Sequence, residues 1–309
     1  MKRTSFWYIY LSFCMVLAYS MLISACNSSE NLTESVPEEP KDEKMEVSII
    51  TRTSEEEPAS TLQAGLYMVN YHNGQSDDLL EQNNYVNNQM LTWMDNVWMT
   101  AAPIYWNDMI TPADFYAYAP YQDEVPNARA MIFSIQTDQT KQEDFSKSDL
   151  MWGTVSGQNP SSVSFDLFLT HQLSQLTVTI SAGTGFDEDE LRAEDVQVSI
   201  GGTRTTATVD LQTGVVSVLN SLPAEDIKCM NKGDLSYAAI LLPQQVPFAN
   251  LIQVYWKGNK YTLQNSFTLE AKKQYSLTVN LKKSKSGFDI GIVGWDIIGE
   301  DFGGVVGGN

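Results

Sequence analysis

Apolar and polar residues alternate along much of the chain with a period of two residues. The clearest examples are residues 163–169, 176–180 and 275–281, in which every second residue is Val, Ile, Leu, Phe or Tyr. Because successive side chains of a strand point to opposite faces of a sheet, this pattern predicts half-buried β-strands. Turn residues, mainly Gly, Asn and Pro, separate these segments at short intervals, as in β-sandwich proteins. The sequence therefore predicts an all-β fold.

The alternation is less regular in the first half of the chain, which is richer in aromatic residues and Asn. Gly, Asn, Pro and Ser cluster within residues 153–162, which is typical of a boundary between domains. We therefore expect an N-terminal β-sandwich domain over residues 46–157 and a C-terminal one over residues 158–309. Alternating residues on both sides of Gly201-Gly202 predict a hairpin there, and a short helix is predicted over residues 187–193.

Residues 1–25 have the pattern of an export signal. Lys2 and Arg3 precede a long uncharged run, which ends in small residues directly before Cys26. A basic start followed by an apolar segment is typical of a signal peptide, and small residues before a cysteine are typical of bacterial lipoproteins. We expect residues 1–25 to be a lipoprotein signal peptide and Cys26 to carry the lipid, with an uncleaved membrane anchor as the alternative. Residues 26–45 are acidic and poor in apolar side chains, which predicts a disordered tether.

The net charge of the chain excludes one class of binding partner. The formal net charge is −19, and a chain this acidic repels phosphate backbones, so nucleic acid is excluded as a partner.

The cysteine content predicts no disulfide. Cys14 lies in the predicted signal and Cys26 would be acylated, which leaves Cys229 without a second cysteine to pair with. We expect no intramolecular disulfide, and we expect Cys229 to be a small buried residue rather than a reactive thiol.

A search for catalytic and metal-binding motifs finds none. The sequence contains no G-x-S-x-G elbow, no P-loop and no H-E-x-x-H helix. Only His72 and His171 are available, which nearly excludes a site built from several histidines. The acidic run at residues 187–190 is more typical of a solvated loop than of a calcium site. We therefore expect no enzymatic activity, no bound metal and no cofactor.

A cluster of aromatic residues within residues 93–121 has two interpretations. The rings are core if they are buried; if they are exposed, they could stack on sugars or anchor a partner. The second interpretation supports an alternative function, a glycan-binding lipoprotein at the surface of the outer membrane. The cluster consists of Trp93, Trp98, Tyr105, Trp106, Phe115, Tyr116, Tyr118 and Tyr121.

Over roughly residues 45–298 the chain resembles the fimbrillin family, the lipoprotein pilins of type V pili. The resemblance rests on an ordered set of segments: APIYWNDMITPADFYAYAPY, KSDLMWGT, SVSFDLFLTHQLSQLTVTI, GGTRTTATVDLQTG, YAAILLPQQVP, NSFTLEAKKQYSLTVNL and IGIVGWDI. It implies two tandem transthyretin-like β-sandwich domains with Greek-key-like connections. It also implies a non-enzymatic pilin, or a tip or adhesin component of a fimbria, held at the outer membrane and cell surface.

The resemblance further implies assembly by donor-strand exchange. In that scheme a trypsin-like protease cuts after an arginine near the first strand, and a strand from another pilin subunit enters the vacated groove. Arg52 is the candidate processing site, and Val47 and Ile49 lie in the candidate displaced strand. The candidate donor strand contains Phe288, Ile290, Ile292 and Trp295, with pairing inside its own domain as the alternative. Further expected partners are ligands on host or bacterial surfaces.

Overall fold

The structure is a computed structural model of the 309-residue chain. It describes residues 44–53, 63–94, 97–193, 195–283, 290–292 and 297–301. Among these residues, no helix has the length and apolar character needed to cross a membrane.

The described residues form 21 strands, two six-residue α-helices and one 3-10 turn at Ala128–Ala130. The α-helices are α1 (Gln142–Lys147) and α2 (Glu188–Ala193). The strands are β1 (Ile49–Thr53), β2 (Gln63–His72), β3 (Gln75–Ser76), β4 (Asn84–Met94), β5 (Val97–Thr100), β6 (Ala113–Ala119), β7 (Met131–Ser134), β8 (Met151–Gln158), β9 (Phe165–His171), β10 (Ser174–Ala182), β11 (Gln197–Thr203), β12 (Thr206–Asp210), β13 (Val215–Val218), β14 (Glu225–Lys228), β15 (Met230–Gly233), β16 (Ser236–Leu241), β17 (Gln244–Trp256), β18 (Asn259–Leu269), β19 (Lys273–Lys283), β20 (Ile290–Ile292) and β21 (Ile297–Asp301).

These strands form four sheets, so the predicted all-β class is confirmed. The largest sheet has the order β1-β9-β8-β6-β2-β4-β5, with β3 added to β2. The second has the order β15-β16-β10-β19-β20, and β21 also pairs with β19. The other two have the orders β14-β11-β17-β18 and β13-β12-β7.

The strands of the chain differ in whether one or both of their faces are buried. β10 buries every second residue, with Leu176, Val178 and Ile180 in the core, as the period-two pattern predicts. All seven residues of β6 are buried, because both faces of this strand are covered. A strand that is buried on both faces needs no polar alternation. This double burial explains the absence of alternation in β6, and β16 in the C-terminal half is buried in a similar way.

The two faces of β6 belong to two separate hydrophobic cores. Phe115 and Ala117 pack in a smaller core, which we call the first core, together with Leu66 and Met68 of β2. Tyr116 and Tyr118 point to the opposite face and join a larger core, the second core. The second core continues through the C-terminal sheets as far as Leu281 of β19.

The eight-stranded sheet continues past the predicted domain boundary at residue 157. β9 follows that boundary and pairs with β8, with Met151 opposite His171. The stretch rich in Gly, Asn and Pro thus contains the loop between two paired strands. β7 likewise pairs with β12 through Phe133 and Ala207, which joins the two halves in one sheet. The division at residues 157 and 158 stays a prediction.

Two further local predictions can be compared with the structure. The short helix predicted over residues 187–193 is present as α2, with Leu191 buried. The hairpin predicted around Gly201-Gly202 is wrong, because β11 pairs with β14 and β17 whereas β12 pairs with β13 and β7. At Gly202 the backbone adopts a φ of +73°, and a Cβ there would lie 2.9 Å from that of Ala249, so this glycine turns the chain from one sheet into another.

Candidate assembly site at the first strand

The first described segment, residues 44–53, lies between two parts of the fold that are far apart in sequence, residues 104–106 and β9. The Val47 amide donates to the Ile104 carbonyl at 2.8 Å, and the Trp106 amide donates to the Met45 carbonyl at 2.9 Å. The chain then continues into β1, which pairs in parallel with β9 from Ile49 opposite Phe165 to Thr53 opposite Leu169. We call residues 44–53 the closing segment, because it connects residues 104–106 with β9.

The closing segment joins the two ends of the eight-stranded sheet. β1 and β5 are the terminal strands of that sheet, and they also lie in contact with each other. The sheet therefore curves until its ends meet, with the closing segment at the seam. β1 and β5 are not paired by main-chain hydrogen bonds, so their contact shields the two edges of the sheet without joining them in a ladder.

The side chains of the closing segment complete the first core. Val47 is buried with 9% of its surface exposed, and Met45 and Ile49 are partly buried against the same core. Leu167 and Leu169 of β9 are fully buried in this core. Without the closing segment, apolar surface on β9 and around Trp106 would lose its cover.

A cavity of about 410 Å³ lies beside the closing segment. Val47, Ile49, Leu66 and Trp98 are among the residues that line it. The indole N–H of Trp98 is buried and has no hydrogen-bond partner in the described part of the chain, whereas that of Trp106 donates to the Ser161 carbonyl at 3.2 Å. The cavity is partly open to solvent, so the closing segment fills its groove incompletely.

The structure places the candidate processing residue inside β1. Arg52 pairs in register with Phe168 of β9, one position before the end of the strand at Thr53. The candidate displaced strand is the closing segment itself, with Val47 before β1 and Ile49 at its first position. Cys26 lies outside the described residues. Cleavage at Arg52 and lipidation at Cys26 stay predictions.

The candidate donor strand lies at an edge of its own sheet. Ile290 and Ile292 belong to β20, which is antiparallel to β19, with Ile292 opposite Leu281. β21 covers the rest of the same edge, with Ile297 opposite Leu277. Phe288 and Trp295 lie outside the described residues. In this state the segment pairs inside its own domain, and donation to another subunit stays a prediction.

Most of the aromatic cluster is core. Trp106 packs edge-on against Phe115 with ring centroids 5.6 Å apart, and Trp93 packs in the same manner against Trp98 at 5.4 Å. The fully buried members are Trp98, Trp106, Phe115, Tyr116 and Tyr118, and the half-buried members are Trp93, Tyr105 and Tyr121. This distribution favours the core interpretation over an exposed platform for sugars.

Cys229 and His171, the other residues considered for a chemical role, are both buried inside the fold. Cys229 is buried, and burial raises the pKa of its thiol, which disfavours the reactive thiolate. The ring of His171 is buried and lies 2.9 Å from the Asp149 carboxylate. Within the described residues, no group of three or more His, Cys, Asp and Glu side chains is arranged to hold a metal ion.

Sequence reasoning found the closing segment but missed the groove that holds it. Residues 104–106 and Trp98 carried no signal for this role, because they meet the closing segment only in the fold. Residues 104–106 do so through main-chain hydrogen bonds, and Trp98 lines the same cavity. The run PIYW has no alternation of its own, and its position becomes meaningful only when the ends of the sheet meet.

Comparison with protein families matches residues 51–295 to the family described as Fimbrillin-like. The chain belongs to the fimbrillin-like family. A provisionally named fimbrium tip subunit of Bacteroides ovatus, Fim1C, is 30% identical over 110 residues. That alignment spans 31% of this chain and 20% of the relative, so the chain matches about a fifth of the relative's length.

Two crystal structures of provisionally assigned cell adhesion proteins share the fold of this fimbrillin-like chain. The protein from Bacteroides uniformis has a TM-score of 0.62 and 22% identity, and the match covers 85% of this chain and all of that one. The protein from Bacteroides ovatus has a TM-score of 0.64 and 14% identity, with 84% and 98% covered. At these identities the likeness establishes the fold.

Proposed function

We propose that this chain is a structural or tip subunit of a fimbria, exported as an outer-membrane lipoprotein through Cys26 and assembled at the cell surface by donor-strand exchange. The observation that carries the proposal is the closing segment, a short terminal strand that covers the first core beside an incompletely filled groove. Membership of the fimbrillin-like family supports the same function.

In the proposed mechanism, a trypsin-like protease cuts the chain after Arg52. The cut separates the closing segment from the rest of the subunit, apart from Thr53. Its departure leaves without partners the edge of β9 that paired with β1 and the main-chain groups of residues 104–106 that paired with residues 45–47. Unpaired backbone groups beside exposed apolar side chains are a strong template for another strand.

A strand from a second subunit then occupies the groove. Each apolar side chain that it fully buries contributes about 1.5–3 kcal/mol, and each new main-chain hydrogen bond contributes about 1 kcal/mol net. Ordering the strand costs about 1–2 kcal/mol per residue. The exchange is therefore favourable when most inward positions of the incoming strand are large and apolar, as in other complexes formed by strand addition.

The candidate donor is the C-terminal segment of the neighbouring subunit, with Phe288, Ile290, Ile292 and Trp295. In the described state Ile290 and Ile292 pair with β19 of their own sheet. Donation therefore replaces one edge pairing by another, so the donor strand is protected from other partners until assembly. This exchange also leaves the β19 edge open in the donating subunit.

The mature N-terminus of the chain in surface fibres tests the proposal. We expect fibres purified from cells that produce the full chain to contain a subunit that begins at Thr53. Arg52→Gln should abolish the cut and the fibres, whereas Arg192→Gln, on the exposed surface of α2, should leave both unchanged. Cys26→Ser should prevent lipidation, measured by labelling with a fatty acid analogue.

Two results would contradict parts of the proposal. Fibres whose subunits begin at Cys26, in amounts that Arg52→Gln does not change, would overturn processing at Arg52. A chain found at the surface only as a lipidated monomer would overturn the role in the fibre shaft. The alternative of a glycan-binding lipoprotein built on the aromatic cluster has no supporting observation, because most of its rings are buried.

A further inference from the structure

A second cavity, of about 720 Å³, lies in the C-terminal half of the chain, away from the closing segment. Side chains from three regions line it: the loop after β7, the β14–β11–β17 part of the four-stranded sheet, and β15 with β16. We call it the hydroxyl cavity, after two of its lining side chains. Its volume is within the range of about 300–1,000 Å³ that is usual for small-molecule sites.

Two hydroxyl groups on largely buried side chains line the hydroxyl cavity without protein partners. Ser199 of β11 is 7% exposed and Tyr237 of β16 is 3% exposed. Within the described chain, neither hydroxyl forms a hydrogen bond to another protein group. Neither hydroxyl is among the fully buried polar atoms that lack a partner, so both are accessible from the cavity, where a ligand or water can pair with them.

The Tyr237 hydroxyl keeps its proton over the physiological pH range. Burial raises its pKa to about 12, and the nearby Asp195 carboxylate acts in the same direction. It can therefore both donate and accept a hydrogen bond, as can the Ser199 hydroxyl.

Charged groups surround the entrance of the hydroxyl cavity. Asp138 and Lys228 form an ion pair at 2.8 Å. Asp195 accepts a hydrogen bond from the side-chain amide of Gln197 at 2.9 Å. Asp195 and Asp226 have no cationic partner among the described residues, so acceptors exceed donors at the entrance.

An aromatic ring completes the lining. Tyr255 of β17 is 37% exposed, and its hydroxyl donates to the Gln253 side chain at 3.2 Å, which fixes the direction of the ring. Gln197 lies opposite Tyr255 in the neighbouring strand, so an amide and an aromatic ring stand side by side on the sheet. Such a ring offers apolar surface to a ligand whose other groups are polar.

We propose that the hydroxyl cavity binds an uncharged saccharide. A sugar hydroxyl both donates and accepts, so it can donate to the Asp195 and Asp226 carboxylates and accept from Ser199, Tyr237 and Lys228. The C–H face of a sugar ring would lie against Tyr255. This site is distinct from the aromatic cluster of the first half, and it adds a ligand to a subunit proposed to stand on the cell surface.

Other ligand classes fit the cavity less well. Phosphate and carboxylate ligands are repelled by the carboxylates at the entrance and by the acidic chain as a whole. A metal ion lacks a suitable group of three ligands among the described residues. A cationic ligand would pair with Asp195 and Asp226 but would not use the two hydroxyls.

An array of neutral and sialylated oligosaccharides, probed with the purified full chain, tests the proposal. We expect retention of neutral glycans, with their sialylated counterparts bound more weakly. Tyr237→Phe and Ser199→Val remove the hydroxyls with little change of shape and should each weaken the affinity for the retained glycan about fivefold to tenfold by calorimetry. Tyr67→Phe is the matched control, since it removes a buried hydroxyl that also lacks a partner but lies outside the cavity.

A variant at an exposed residue distinguishes the loss of a ligand contact from the loss of folding. Asp226 is exposed at the entrance, so Asp226→Asn should weaken glycan binding while circular dichroism and the melting temperature stay unchanged. The proposal is overturned if the full chain retains no neutral glycan, or if the Tyr237, Ser199 and Asp226 variants bind like the control. Retention of amino sugars alone would also overturn it, because the carboxylates and not the hydroxyls would then select the ligand.

Discussion

The first and second cores lie on opposite faces of β2 and β6, yet they are closed in different ways. The first core depends on the closing segment, in which Val47 and Ile49 belong to a strand at the very end of the described fold. The second core is closed by internal strands, such as β10, which lies between β16 and β19. A cover formed by the first strand of the fold can leave without unravelling the rest, whereas an internal strand cannot.

The closing segment also differs in its surroundings from buried positions in the second core. The cavity of about 410 Å³ and the unpaired Trp98 indole lie where the closing segment meets the first core. In the second core Val209 and Leu277 are almost fully buried, and neither lines this cavity or the hydroxyl cavity. The space beside the closing segment is what the proposed exchange of strands would require.

The largest expected effect follows from removal of the closing segment. A chain that begins at Ser54 lacks Met45, Val47 and Ile49 and leaves β9 unpaired on one side. We expect its free energy of unfolding to fall by several kcal/mol, since a fully buried apolar side chain contributes about 1.5–3 kcal/mol. Hydrogen exchange should show lost protection in β9 and at Trp106.

The control for this truncation lies in the same molecule. The amides of β10 belong to the second core and should keep their protection in the shortened chain. Equal loss of protection in β9 and β10 would show that the two cores unfold as one unit, and the comparison between them would fail.

A matched pair of substitutions compares the free space beside the closing segment with that at a buried site of the second core. Val47→Ile adds one methylene beside the cavity and should stabilise the chain by about 0.8 kcal/mol. Val209→Ile adds the same group to a fully packed site and should destabilise the chain by about 1–3 kcal/mol. Denaturation midpoints in urea measure both, and a loss of stability for Val47→Ile would mean that the groove is already full.

Sequence patterns predicted the second core better than the first. The alternating residues of β10, and those of the β17–β18 hairpin around Gly258, lie in strands with one face in the core, so periodicity found them. The doubly buried β6 has no such alternation. The helix α1 was missed because Lys141 precedes it without a side-chain capping hydrogen bond, whereas Asp187 precedes α2 and accepts a hydrogen bond from the Glu190 amide.

The candidate assembly site was predictable only where it has a local sequence pattern. The closing segment has a local signal, a short apolar strand before Arg52, whereas its partners at residues 104–106 are set by pairing across the fold. Likewise β11 and β12 are adjacent in sequence but belong to different sheets, because Gly202 turns the chain between them. Local patterns cannot report which distant strand a segment will meet.

The smallest expected effect concerns an ion pair at the margin of the second core. Hydrogen bonds from Lys228 and Thr140 lower the pKa of Asp138 from 3.8 to about 2. Because the folded-state pKa is lowered, the stabilisation is complete above pH 4 and is lost as the pH falls through about 2. Both side chains are half exposed, so the contribution is small.

Lys228→Met removes the positive charge of this ion pair and so tests how much the pair contributes to stability. We expect carbon NMR titration to show the pKa of Asp138 rising toward 3.8, with Lys260→Met as a control that leaves it near 2. The main chain at this margin keeps its own bonds, from the Gln139 amide to the Lys228 carbonyl at 3.0 Å and from the Lys228 amide to the Thr137 carbonyl at 2.8 Å. Stability at pH 7 should therefore change little. A large loss would mean that charge, rather than packing and backbone pairing, closes the second core.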